Sequence, residues 1–255
     1  MRRLIINADD FGFTRDVNAG IIHAHRSGVL TSTTLMANGD AFGDAVRLAK
    51  ETPTLDIGAH LVLVQGCSVL DGRPLPETLR QLLPLLARRG LDVYAELKAQ
   101  IEKIRAAGIR LSHLDSHKHT HLFPAVFRTV VKLADEFGIR WVRLPLDSTV
   151  RLGKLSSGIG NRYYRRFAEG KNVHMTDHFL GFRLTGSLTE ETFAQTLNNL
   201  ADGTTEFMCH PGYLGDDLKQ ARTRLKESRL RELEALTSPR IRRLISEKTI
   251  ALGPF

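Results

Sequence analysis

The sequence predicts an α/β protein, a TIM-like (β/α) barrel in a single domain over residues 1–255, and three observations carry that reading. Strand-like apolar runs alternate with helix-like runs from end to end. There is room for roughly seven or eight such strands. The polar residues collect where those runs end, and a barrel gathers its site at the C-terminal ends of its strands. A doubly wound open sheet gives a similar string, but the placement of the polar residues favours the barrel.

The elements follow in order. Leu4 to Asn7 is a short apolar strand. Thr14 suits the N-cap of a helix that runs to about Ser27 and is closed by Gly28. Thr31 to Ala37 is a second strand, Ala41 to Glu51 a helix, and Ile57 to Val64 a third strand. Gly66 to Pro76 reads as a long loop because glycine and proline interrupt it. Two helices follow, Glu77 to Arg89 and Val93 to Ala107, before a fourth strand at Arg110 to Asp115. Pro124 opens a helix that Gly138 ends after Phe137, and Arg140 to Leu144 is the fifth strand. Thr176 to Phe182, Thr205 to Cys209 and Thr249 to Leu252 are later strands, with a helix at Glu190 to Leu200.

Composition bounds the class. Hydrophobic content of 42% and charged content of 25% are those of an ordinary globular protein, and no apolar run nears the ~20 residues of a membrane span. The run from Leu4 to Ile6 is too short for a secretory leader, so a soluble, cytoplasmic protein is expected. Cys67 and Cys209 are far apart and in no CxxC spacing, which argues against a disulfide framework and a thiolate zinc site. The net charge of +8 is spread along the chain. Its densest stretches, Arg222 to Arg231 and Arg240 to Arg243, read as solvated helix faces, and no nucleic acid is expected.

Two clusters carry chemistry. Asp9 and Asp10 are adjacent carboxylates straight after a strand, tolerable when a cation neutralises one or a proton is shared, although Asp-Asp-x-Gly also suits a plain turn. His113, Asp115, His117, His119 and His121 occupy alternate positions, so a continued strand would set all five on one face. Burying five unpaired ionisable side chains is costly, whereas neutral imidazole suits zinc and its neighbours. A catalytic ion takes about three protein ligands, so some of the five must serve otherwise. His60 in an apolar strand and His210 before a Pro-Gly turn are each ambiguous alone. His178 is placed either to reach substrate or to serve the structure, His23 and His25, two apart on a helix, read as surface or packing residues, and His174 carries no assigned role. HExxH, GxxxxGK[ST] and GxSxG are missing, and Gly158-Ile159-Gly160 lacks the later glycine of a dinucleotide loop.

Four separated segments, Asn7-Ala8-Asp9-Asp10-Phe11-Gly12, Gly58-Ala59-His60-Leu61, Asp115 to His121 and Cys209-His210-Pro211-Gly212, resemble the YdjC-like carbohydrate deacetylases, the group of the ChbG and HpnK enzymes. The resemblance implies an irregular (β/α) barrel with Asp10, His60 and His117 on one divalent metal ion, zinc first, magnesium or another divalent ion as alternatives. It implies Asp9 as general base and His210 as general acid. Arg143 would orient Asp9 or stabilise its charge. Asp115, His119 and His121 are candidates for holding ligand rings in one tautomer.

The expected reaction is hydrolysis of the N-acetyl amide of an N-acetylglucosamine unit in an oligosaccharide or a hopanoid-type glycolipid. The loop 66–76 and the segment 148–173 leave the sugar open, and peripheral membrane contact and a homodimer stay open with it. The alternatives are a metal-dependent hydrolase of another sugar or phosphodiester substrate, and a basic protein that binds metal or nucleic acid without catalysis.

Overall fold

A computed structural model describes residues 1–88, 90–149, 151–152 and 155–255, with backbone alone for 151–152 and 155–157. Arg89, the expected end of one helix, and Val150, Gly153 and Lys154 of the segment 148–173 lie outside the described residues. The strands are β1 (Arg2–Phe11), β2 (Ser32–Leu35), β3 (Asp56–Leu61), β4 (His113–Ser116), β5 (Trp141–Val142), β6 (Arg151–Leu152), β7 (Leu155–Ser156), β8 (His178–Leu180), β9 (Gly203–Cys209) and β10 (Ala251–Leu252). The helices are α1 (Arg15–Ser27), α2 (Phe42–Lys50), α3 (Leu79–Ala87), α4 (Val93–Ala106), α5 (Pro124–Phe137), α6 (Ser157–Arg165), α7 (Glu190–Asn198), α8 (Asp216–Gln220), α9 (Glu227–Thr237) and α10 (Pro239–Glu247).

The main sheet runs β5-β4-β3-β2-β1-β9-β8, all parallel, and β10 lies against the first residues of β1. A parallel bridge between Trp141 and His174, with Val142 N–H donating to the His174 carbonyl at 3.0 Å, ties β5 to the segment that leads into β8. The sheet therefore curls toward closure, ringed by helices, as a TIM-like barrel does. β6 and β7 form a separate antiparallel pair.

Alternation in β1 shows how the sequence builds the inside. Leu4, Ile6 and Ala8 join the apolar cluster, whereas Asn7 and Asp9 are buried in hydrogen bonds. Strand ends follow pairing and not hydrophobicity: Ile57 to Val64 yields a strand ending at Leu61, whereas the short run from Leu4 to Asn7 extends to Arg2–Phe11.

Helix ends obey local chemistry. Thr14 accepts from Val17 N–H, Thr78 and Gln81 make a capping box, and Pro124 opens α5. Gly138 ends α5 with φ of 66°, but Gly28 does not cap α1 in the left-handed way, having φ of −129°. It is glycine for space instead: a Cβ there would stand 2.5 Å from the carbonyl oxygens of both Ala24 and Leu236. Gly28→Ala is expected to lower stability by about 1–3 kcal/mol in thermal melts, because the clashing atoms are backbone; an unchanged melt contradicts this packing.

Candidate functional site

The site begins with a defect in β1. Ala8 pairs with Thr33 and Phe11 with Leu35, so β1 carries one extra residue between those pairs, a bulge. Asp10 takes up the distortion with φ of 71°. The two adjacent carboxylates consequently enter different networks.

Asp10 meets two imidazoles. Its Oδ1 lies 3.1 Å from His117 Nδ1 and 3.3 Å from His60 Nε2, and those nitrogens are 3.3 Å apart. Ligands on a tetrahedral zinc at about 2.0–2.1 Å stand about 3.3–3.4 Å from one another, so the triangle has the dimensions of three corners around one ion. The donor set, one carboxylate and two histidines, also fits. Parallel register explains the meeting: His60 sits beside Asp115, Leu61 beside Ser116, and His117 follows at the end of β4.

The remaining ring nitrogens are held. His60 Nδ1 donates to Asp115 Oδ1 at 2.7 Å, and His117 Nε2 donates to Gln65 Oε1 at 3.2 Å, which leaves the inner nitrogens as lone-pair donors. Burial lowers the His60 pKa, but Asp115 and Asp10 outweigh it and push the ring to about 10, so an arriving cation must displace a proton there. Arg229, 1% exposed, donates to Asp10 Oδ2. Burial raises the Asp10 carboxyl, yet Arg229 and the two histidines hold it well below the usual range.

Asp9 turns into the barrel, where Arg143 is fully buried. The guanidinium donates to both Asp9 oxygens at 2.7 and 2.8 Å, and pairs with Asp115 at 2.7 Å and Glu206 at 2.6 Å. Against burial, Arg143 and then His60 keep the Asp9 carboxyl far below the carboxylate range. Asp9, His60 and Asp115 also approach closely enough to suggest a second ion, but the Arg143 guanidinium already pairs with both carboxylates.

His210 follows β9 beside Asp9, because Ala8 pairs with Cys209. Its N–H donates to Glu232 Oε2 at 2.6 Å, and its Nδ1 stands 4.0 Å from the same oxygen. Burial lowers the ring to about 4 and raises Glu232 to about 7. Asp9, Asp10, His60, His117 and His210 all open on one cavity of about 1000 Å³.

Other expectations are corrected. The alternating histidines do not share a face, because β4 ends at Ser116 and Lys118 and His119 both turn left-handed with φ of 51°. His119 lies against Phe182 with Nε2 3.2 Å from Met208 Sδ, and His121 Nδ1 accepts from Ser116 Oγ at 2.6 Å. Neither meets His60 or His117 in a hydrogen bond; of the three candidates Asp115 alone does, at His60. His178 begins β8, and its Nε2 donates to the Asp202 carbonyl near the opposite end of the barrel, so it does not meet the cavity. Arg229 is the exception to the solvated reading of the late arginines, whereas Arg240 does pair on the surface with Glu190 and Glu191. Sequence reasoning passed over Arg229, Gln65, Glu206 and Glu232; only Glu206, an acid inside an apolar strand, carried a local signal.

The sequence pattern of the family described as YdjC-like protein matches residues 3–247. The chain belongs to that family. It is 36% identical to a carbohydrate deacetylase of Brevibacillus brevis over 273 aligned residues, covering 99% of this chain and 98% of the relative. It is 33% identical to a chitooligosaccharide deacetylase of Salmonella schwarzengrund, covering 100% and 98%. Among solved structures, a proposed cellobiose-phosphate cleavage protein of Enterococcus faecalis superposes with a TM-score of 0.83 at 28% identity, covering 99% and 97%. A lactam utilization protein of Thermus thermophilus, at 15% identity and a TM-score of 0.54, shares the fold.

Two outcomes follow for this YdjC-like site. Arg143→Met strands buried carboxylates without a countercharge and is expected to cost about 3–5 kcal/mol in denaturant unfolding; a loss under about 1 kcal/mol contradicts the network. Glu232 binds a proton more tightly folded, about 7, than its ordinary value of 4.5, so it withdraws stability as pH rises from about 4.5 through 7. Glu232→Gln should therefore raise the melting temperature over the parent more at about pH 8 than at about pH 5. An equal difference at both pH values contradicts the raised pKa.

Proposed function

We propose that this YdjC-like protein is a metal-dependent carbohydrate deacetylase that hydrolyses the N-acetyl amide of an N-acetylglucosamine unit in an oligosaccharide or glycolipid. The observation that carries the reading is the triangle of Asp10, His60 and His117 opening on the same cavity as Asp9 and His210. The names of the relatives support the reaction class. Zinc suits one carboxylate and two histidines; magnesium or another divalent ion is the alternative.

A divalent cation held there would polarise the acetyl carbonyl and acidify water. Asp9 takes the proton from the attacking water. Its ion pair with Arg143 keeps it charged and fixes both oxygens, and the same pair makes it a weak base, so acceptance depends on the acidity of the water. His210 delivers a proton to the departing sugar nitrogen. With a pKa of about 4 the resting ring is neutral and must first gain that proton, and Glu232, at about 7, is an acid 4.0 Å from Nδ1, a gap that must shorten for the proton to pass.

A phosphodiester hydrolase is less well supported: a two-ion mechanism needs a second set of carboxylates, and the other candidate set among the described residues already holds Arg143. Elemental analysis should find that His117→Ala and Asp10→Ala lose metal, whereas Asp9→Asn retains it. In an acetate-release assay on chitobiose and longer chito-oligosaccharides, Asp9→Asn should lose on the order of 10²–10⁴-fold in rate. Equal metal loss in all three contradicts the division of roles, and a metal-loaded parent that frees no acetate from any N-acetylated saccharide contradicts the function.

A further inference from the structure

The large hydrophobic side chains left exposed are distributed unevenly over the barrel. Met1 and Leu252 lie at its N-terminal end, where β10 pairs with Arg3 and Leu4. The others stand on segments toward the C-terminal strand ends, among them Leu79 and Leu83 on α3, Ile159 and Tyr163 on α6, and Phe182 after β8. Tyr164 donates to the Leu122 carbonyl just beyond β4, which fixes α6 at that end. In α3 five of nine residues are leucine, yet only Leu82 is buried, and Leu79 and Leu83 are 36% and 46% exposed one turn apart.

Cations surround the same opening. Arg80, Lys118, Arg183, Arg222 and Arg224 line the cavity, and the only acids among the described residues that line it are the buried Asp9 and Asp10. Among the described residues only Arg222 of these five has an ion pair, with Glu77 at 3.7 Å. Glu77 and Asp217 lie to one side, over a neighbouring depression.

We propose that this face docks on an anionic lipid bilayer, with the leucines and Phe182 entering the interface and the arginines meeting headgroups. Apolar side chains beside arginines on one exposed face are the pattern of interfacial binding. A saccharide bound inside the cavity does not account for Leu83, Ile159 and Tyr163, which do not line it. A second copy on a twofold axis would set this cationic rim against itself. Nucleic acid would use the arginines and leave the leucines wet.

Sedimentation of the full chain with vesicles of phosphatidylcholine mixed with phosphatidylglycerol, against phosphatidylcholine alone, tests the proposal. Binding is expected only to the anionic vesicles. Arg80→Ala with Arg224→Ala should weaken it on the order of fivefold per arginine. Leu83→Asp with Ile159→Asp should weaken it by about tenfold or more while leaving the thermal melt and acetate release from soluble chitobiose unchanged. Vesicle binding by a parent that releases no acetate supports docking and sinks only the catalytic reading. No sedimentation with anionic vesicles, binding unaffected by the leucine variants, or a dimer in light scattering that the Leu83→Asp and Ile159→Asp changes abolish overturns the docking.

Discussion

The polar interior of this barrel depends on one buried cation. Arg143 is fully buried, and its guanidinium is shared by Asp9, Asp115 and Glu206. Three acids in so dry a place would repel one another or take up protons, and burial already lifts Glu206 to about 7. Through Asp115 the guanidinium fixes the tautomer of His60, and through Asp9 it fixes the carboxylate nearest His210. The triangle of Asp10, His60 and His117 and the pair of Asp9 and His210 are thus linked through one side chain that touches neither His117 nor Asp10.

What separates the roles of two neighbouring aspartates is backbone, not side-chain chemistry. A regular strand would send Asp9 and Asp10 to opposite faces, and Asp10 would then point toward the helices. The bulge and the left-handed Asp10 bring it back over the mouth, where Arg229 and the two imidazoles compensate its charge. Arg229 and the cation would compete for the same carboxylate. Sharing would reduce the negative charge Asp10 brings to a bound ion and would favour a more electrophilic centre over a more tightly bound one.

Much of the architecture was legible because local rules fix it. The alternation of strands and helices, the Thr14 cap, Pro124 at a helix start and the acids and histidines at strand ends are all set by neighbours in sequence. The parts that were not legible depend on distant partners. Arg229 stands in a charge-rich helix, and only the packing of α9 on α1 carries it to a residue 219 positions away. His119 and His121 looked continuous with the strand because no glycine marks the left-handed turn at Lys118 and His119. His178 lies at the start of β8, and in a barrel the wrong end of a strand is the wrong side of the molecule.

The central claim is that Asp10, His60 and His117 surround a single ion with space left for water and substrate. X-ray absorption at the zinc edge of the loaded protein tests it most directly. One ion per chain, a first shell of nitrogen and oxygen at about 2.0–2.1 Å, and outer-shell scattering from two imidazoles is the result the geometry predicts. A sulfur ligand, an absence of imidazole scattering, or two ions per chain would contradict it.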